Sequence, residues 1–352
     1  MTRSRKRRRS GRQRKRRRSI VVRRRVQRTI IGAWVGLLVL LGACGARPEP
    51  SSQTETGKVR FKIGYLPITH AAPLFMEKYR WDGSRSADLP FELELVKFGS
   101  WTDLIDALNA GKIDGASVLA PLAIKAKERG IDLKIVATGH RDGNVVVVSP
   151  KIQDAADLKG QTFAVPHKFS SHYILFYAML KKAGLRVSDV NVVEMPPPEM
   201  PAALSEGRIA GYAVAEPFGA IAVAKGIGKV LYQSHELWPD SICCVLVLRK
   251  DFLDRHREAA VAFVRAYLDS GHAAERKDAE VKSAINTFMS VEEKVLNLSL
   301  KWIRYDDLTF GEDAYETLTT YMKETGISEH PPAYADIVDE ALIKAAVAEK
   351  AP

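Results

Sequence analysis

Cysteine is nearly absent from this chain: three residues among 352, at positions 44, 243 and 244. A disulfide-stapled scaffold is therefore excluded, and an apolar core must hold the fold. A general excess of basic charge is absent as well. Residues 1–28 carry 16 of the 53 Lys and Arg and no acid, which leaves 37 basic against 42 acidic side chains, a net of −5, in the rest. That remainder offers no general electrostatic case for nucleic acid. The uncharged apolar stretch 29–43 has 15 residues, short for a spanning helix, which needs about 18 or more. No P-loop, zinc spacing or Ser/His/Asp order is present, so no motif points to a nucleotide hydrolase or a triad enzyme. The length, 352 residues with 46% hydrophobic side chains, suits two ordinary α/β domains.

What is there begins with an export signal. A basic run to Arg28, the apolar stretch 29–43 and Leu41-Gly42-Ala43-Cys44 follow in the order of a secretory signal. The last four residues resemble the bacterial lipobox, in which the Cys is acylated and becomes the new N-terminus. Residues 1–43 are expected to be a signal peptide and Cys44 the lipidation site. Residues 44–58, polar and breaker-rich, read as a flexible tether.

Two later stretches are near copies. Ala107–Pro121 and Ala203–Pro217 align without a gap at an offset of 96, with seven of fifteen positions identical. Each reads as a helix end, a Gly cap, a short apolar strand and a Pro that breaks the strand into a loop. The pattern predicts two lobes built alike, with ligand at the carboxyl ends of the strands. Around the copies, period-2 runs predict strands at 59–65, 91–98, 131–137, 161–166, 190–195, 230–232 and 242–248. The four valines 145–148 suit a buried crossing between lobes. From Asp251 the pattern is helical.

Gly64-Tyr65-Leu66-Pro67, Leu119-Ala120-Pro121, Asp157-Leu158-Lys159-Gly160, Met195-Pro196-Pro197-Pro198-Glu199-Met200 and Glu216-Pro217-Phe218 together resemble the solute-binding proteins of bacterial ABC importers. The resemblance is to the group that binds nitrate, bicarbonate, sulfonates, taurine and pyrimidine precursors. It implies an α/β, two-lobed periplasmic-binding-protein-like fold of type II, with two crossing strands and ligand in the cleft. Residues 59–147 with 246–350 form the first lobe and 148–245 the second. The crossings are placed at 145–149 and 245–248. It further implies no enzyme activity, catalytic residue, cofactor or metal, and no nucleic acid. The partners are a small-molecule ligand, an ABC permease with its cytoplasmic ATPase, and the bacterial cell membrane, reached through lipid on Cys44 from the extracytoplasmic side by a monomer.

The ligand residues it points to are Pro67, Thr69, His70, Trp101, Ala120, Pro121, His140, Asn144, Ser170, Ser171, His172, Glu216, Pro217 and Cys244. Trp101 corresponds to a cleft Trp of nitrate and bicarbonate binders. Ser170, Ser171 and His172 mark a helix N-terminus, a ready site for negative charge. The sequence departs from the family where nitrate binders carry a charge-balancing Lys; the gapless match here is Cys244. Arg141 or Lys168 would have to compensate. A small, fully charged oxyanion is therefore disfavoured against a sulfonate or a heteroaromatic ring stacked on Trp101. A thiamine-pyrimidine or riboflavin-like heterocycle is the alternative ligand. Cys243-Cys244 raises one reading of another class. The fungal-type pyrimidine synthase of thiamine synthesis, an iron enzyme of similar fold, has a Cys-rich strand near this place. Neighbouring strand residues face opposite ways, so only one of the pair is expected to face the cleft. Two sulfurs alone do not make a metal site.

Overall fold

The computed structural model describes residues 57–82 and 87–348; the expected signal segment, Cys44 and nearly all of the tether lie outside the described residues. The first strand, β1 (Val59–Tyr65), runs through a 3₁₀ turn at Thr69–Ala71 into α1 (Ala72–Arg80) and returns as β2 (Phe91–Lys97), parallel to β1. Ser100 caps α2 (Trp101–Asn109), its hydroxyl accepting the Asp103 N–H. Then come β3 (Gly115–Leu119), α3 (Ala120–Glu128) and β4 (Leu133–Thr138). The chain leaves this sheet at Gly139, makes the two-residue β5 (Arg141–Asp142) and opens a second sheet with β6 (Asn144–Val148). That sheet is completed by β7 (Thr162–Val165), α4 (Ser171–Lys182), β8 (Asn191–Glu194), α5 (Met200–Ser205), β9 (Gly211–Ala215), α6 (Phe218–Ala224) and β10 (Lys229–Gln233). The short α7 (Ser234–Leu237) and residues 238–243 lead back to β11 (Cys244–Arg249) in the first sheet.

The two sheets have matching orders, β2-β1-β3-β11-β4 and β8-β7-β9-β6-β10. In each, the first three strands are parallel. The fourth, antiparallel to the third, is the strand whose chain has just arrived from the other sheet. The two near copies supply the central strands β3 and β9, and Gly111 and Gly207 cap their helices at φ 64° and 71°, as the sequence predicts. The prolines act differently from expectation. Pro121 lies in the first turn of α3 and Pro217 caps α6, so each opens a helix directly after its strand. A missing N–H costs nothing in a helix's first turn.

The crossings also differ. Residues 145–148 and 245–248 are strands inside the sheets, and the chain passes between sheets at 139–143 and 234–243. An all-apolar run is what a strand buried on both faces needs. The first connection carries Gly139 and Gly143, and it pairs with the second: the Asp142 N–H donates to the Ser241 carbonyl at 3.1 Å. The first also pairs through β5 with β12 (Ile303–Arg304) of the C-terminal part.

One face of the first sheet is covered by α1 and by the helices Arg257–Glu275 and Ala279–Met289. On the other side a continuous apolar cluster joins the lobes, from Val118 and Leu122 to Tyr212 and Phe218. No helix among the described residues is long and apolar enough to cross a membrane.

Candidate functional site

Strand register builds the site. Cys244 lies opposite Leu119 at the end of β3, and Asn144 opposite Ala215 at the end of β9. Each antiparallel strand thus begins where its central parallel strand ends, the edge at which open α/β sheets bind ligands. His70 sits in the turn after β1, His140 just after β4 and Cys243 just before β11. One side-chain donor atom from each of His70, His140, Cys243 and Cys244 lies within 4.8 Å of the other three, and all four residues are buried. Cys244 Sγ is 3.5 Å from His70 Nδ1 and 3.9 Å from Cys243 Sγ. Both cysteines are free thiols, and the two imidazole rings are 3.6 Å apart between centroids.

Local backbone sets the chemistry of these groups. His70 Nε2 is 3.1 Å from the Gly143 carbonyl. A carbonyl only accepts, so Nε2 carries the proton and Nδ1 turns its lone pair toward Cys244. Gly143 has φ +77°, and a Cβ there would meet Ile303 at 2.7 Å, so only glycine presents this carbonyl without strain. Neither nitrogen of His140 makes a well-formed hydrogen bond, although Cys243 and the Asp142 backbone lie beside it. Burial, then the neighbouring His70, holds its pKa down to about 4, so it is neutral at pH 7. Burial alone would raise the Cys243 thiol, but Cys244 Sγ, His172 and His140 outweigh it and hold Cys243 well below the usual thiol range. Burial and the Cys243 sulfur push Cys244 well above that range.

The second lobe closes over this cluster. At α4, the Ser170 hydroxyl accepts the Tyr173 N–H, and Ser171 Oγ donates to the Ile242 carbonyl at 2.7 Å. His172 Nε2 lies 3.9 Å from Cys243 Sγ, and its Nδ1 has no partner. Both amide atoms of Asn144 and Glu216 Oε1 are likewise buried without a partner. Burial pushes the Glu216 carboxyl up to about 8, although Ala220 N–H donates to its Oε2. The Glu216 carbonyl accepts two bonds from Thr69 of the first lobe, from N at 2.9 Å and Oγ1 at 3.2 Å.

Of the residues expected at a ligand, His70, His140 and Cys244 meet at the centre; His172 reaches Cys243, Ser171 bonds the neighbouring Ile242 carbonyl, and Thr69 beside His70 bonds Glu216. Ala120 donates its N–H to the Cys243 carbonyl at 2.7 Å, so the start of α3, with Pro121, holds the second connection. Pro217 follows Glu216 through a cis peptide bond. Pro67 lines a separate cavity of about 320 Å³ with Phe98, Pro197 and Phe218. Trp101 is buried in the first turn of α2 beside the apolar cluster, its indole N–H unpartnered; it is not one of the central four. The proposed compensating cations point elsewhere. Arg141 donates to Asp307 and to the Thr309 carbonyl, and the Lys168 ammonium sits 5.3 Å above Phe169.

The sequence reading set Cys243 aside because strand neighbours alternate. Cys243 precedes β11, so the alternation does not reach it, and both sulfurs turn to the same side. That reading also counted two sulfurs and assigned no metal; the fold adds two imidazoles to them. The signal was present only as two cysteines and two histidines whose spacing, 70, 140, 243 and 244, matches no local motif.

Three comparisons place this geometry. The ligand-binding component of an ABC-type import system from Staphylococcus aureus, solved with zinc bound, superposes with a TM-score of 0.76 at 42% identity over 81% of this chain and 98% of that one. The Escherichia coli taurine-binding periplasmic protein is 33% identical over 178 residues, 49% of this chain and 55% of the relative. The nitrate import ATP-binding protein NrtC of Synechocystis is 26% identical over 250 residues, 65% of this chain and 37% of the relative. The chain thus spans a little over a third of the length of the nitrate and bicarbonate transport ATP-binding proteins it matches. The NMT1-like family matches residues 54–288, well over half of the sequence, and the chain belongs to that family.

Proposed function

We propose that this chain is the extracytoplasmic solute-binding subunit of an ABC importer, held at the membrane by lipid on Cys44. It closes two lobes on a small solute and passes it to a permease driven by a cytoplasmic ATPase. The lobes are β1–β4 with β11 and the C-terminal helices, and β6–β10, hinged at 139–143 and 234–243. The observation that carries this reading is the set of buried side chains with unpartnered atoms on facing edges of the lobes and hinge: His140, Asn144, His172 and Glu216. Unpaired buried polar groups are costly unless something pairs with them, and a bound solute would do so.

Relatives are named for nitrate, bicarbonate and taurine, and one structure for bound zinc. The anions call for a fixed cation, and neither Arg141 nor Lys168 supplies one at the cleft. The sulfur and imidazole lining favours the cation. Four protein donors would fill a tetrahedral ion and leave no open position for chemistry, which supports binding rather than catalysis.

The test is elemental and small-molecule mass spectrometry of whatever co-purifies with the membrane-extracted lipoprotein. One bound solute per chain is expected, and Cys44→Ser should release or leave unprocessed an otherwise solute-loaded protein. Protein that carries no solute and binds none from a panel of metals, sulfonates and nitrate would sink the reading.

A further inference from the structure

We infer that His70 Nδ1, one ring nitrogen of His140 and the two sulfurs of Cys243 and Cys244 form a closed tetrahedral site for a zinc-class divalent ion, and that this ion is the solute. The inference rests on the solute-binding reading above and deepens it.

Distances carry it first. Metal–sulfur and metal–nitrogen bonds of about 2.3 and 2.0–2.1 Å at a tetrahedral centre put two sulfurs about 3.8 Å apart and a sulfur about 3.5 Å from a nitrogen. The two sulfurs are 3.9 Å apart, and Cys244 Sγ lies 3.5 Å from His70 Nδ1. These two distances are what such an ion imposes, and the four donor atoms together lie within 4.8 Å of one another. A disulfide would need the sulfurs at about 2.05 Å, so the pair is not poised as one.

Orientation agrees. The Gly143 carbonyl holds the far nitrogen of His70, the outer contact by which metal-bound imidazoles are usually aimed. His140 offers an imidazole whose nitrogens make no well-formed hydrogen bond and which lies beside Cys243, itself a ligand. His172, from the second lobe, reaches Cys243 rather than the centre; it is a positioning residue.

Charge agrees as well. As the ion enters, any proton still on either sulfur passes to solvent, and two thiolates with two neutral imidazoles cancel the double positive charge. A neutral cluster can be buried without a lysine or arginine beside it. Three donors belong to the hinge segments or their edge and one to the first lobe. The ion therefore loads before the second lobe closes, and α4 then covers it. Transition-metal softness selects the ion: sulfur and imidazole suit zinc-class ions, whereas magnesium and calcium prefer oxygen.

The experiment uses the full chain in detergent, stripped with chelator at neutral pH and titrated with cobalt(II) as the spectroscopic probe. The expected result is saturation at one equivalent, with sulfur-to-cobalt charge transfer in the near ultraviolet and the intense visible bands of tetrahedral cobalt. One equivalent of zinc should abolish those bands. Small-angle scattering should show compaction on loading. Cys244→Ser should lose the charge-transfer intensity from one sulfur. His172→Gln should keep the tetrahedral spectrum and weaken affinity by about 10- to 100-fold, as loss of an outer contact does. The wild-type titration stands even if a core variant fails to fold. Weak octahedral bands, or no saturable binding, overturn the inference. If nitrate or a sulfonate then compacts the stripped chain, the solute-binding reading survives alone; if nothing does, both fall. A chain that unfolds when stripped would make the ion structural and overturn its role as cargo.

Discussion

At the scale of single residues, two buried titratable groups pull stability in opposite directions. Glu216 has its carboxyl raised to about 8 by burial, so the folded chain keeps a proton that the unfolded chain has lost. Its contribution is complete below the unfolded value near 4.5 and is lost as pH rises toward 8, on the order of 5 kcal/mol across the window. His140 is held at about 4, so its contribution is present above about 6.5 and lost as pH falls toward 4. Above pH 6.5 only the carboxyl of this pair still titrates. In chelator-treated protein, denaturation midpoints of the parent should fall from pH 6.5 to 8, and Glu216→Gln should flatten that fall. Glu77, also buried and raised, keeps the variant from being fully flat. Parallel pH curves for parent and variant would show that Glu216 is ionised in the fold.

At the scale of elements, the connections matter more than the strands. The repeats, their glycine caps and most strands were legible because each depends on neighbours in sequence. Strand ends shift by one or two residues, and the valine run belongs to β6. The connections were not legible as such, because what holds 139–143 between the sheets is its pairing with Ser241 and Ile303, far away in the chain. Gly143 is where these demands meet: positive φ, contact with Ile303, and the carbonyl on His70. Gly143→Ala should cost roughly 1–3 kcal/mol and should also weaken cobalt binding, since the carbonyl that aims His70 would move. Urea denaturation measures the first and the titration the second. Unchanged stability would mean that the hinge tolerates a side chain and is not strained by one.

At the scale of the whole molecule, the lobes are joined by polar bonds at Thr69 and by the Lys181–Glu324 ion pair, 3.2 Å apart. Thr69 donates twice to the Glu216 carbonyl across the lobes, and Ser299 Oγ bonds to Thr69 Oγ1. Thr69→Val keeps the shape and the N–H bond but removes the hydroxyl. It should cost the closed form roughly 1 kcal/mol, about a fivefold loss of solute affinity, with a larger radius of gyration at sub-saturating solute. Identical affinity and scattering in parent and variant would place the closing force in the apolar cluster instead. The sequence by itself determined the two-lobed class and the repeated helix–glycine–strand unit, because periodicity, caps and motif order are local properties of a chain. It could not determine that Cys243 and Cys244 face the same way or that His70 and His140 join them. Only tertiary structure decided that, because the strand order brings the start of β11 against the end of β3 and both against the turns after β1 and β4. Donors from four points in the chain then share one buried space.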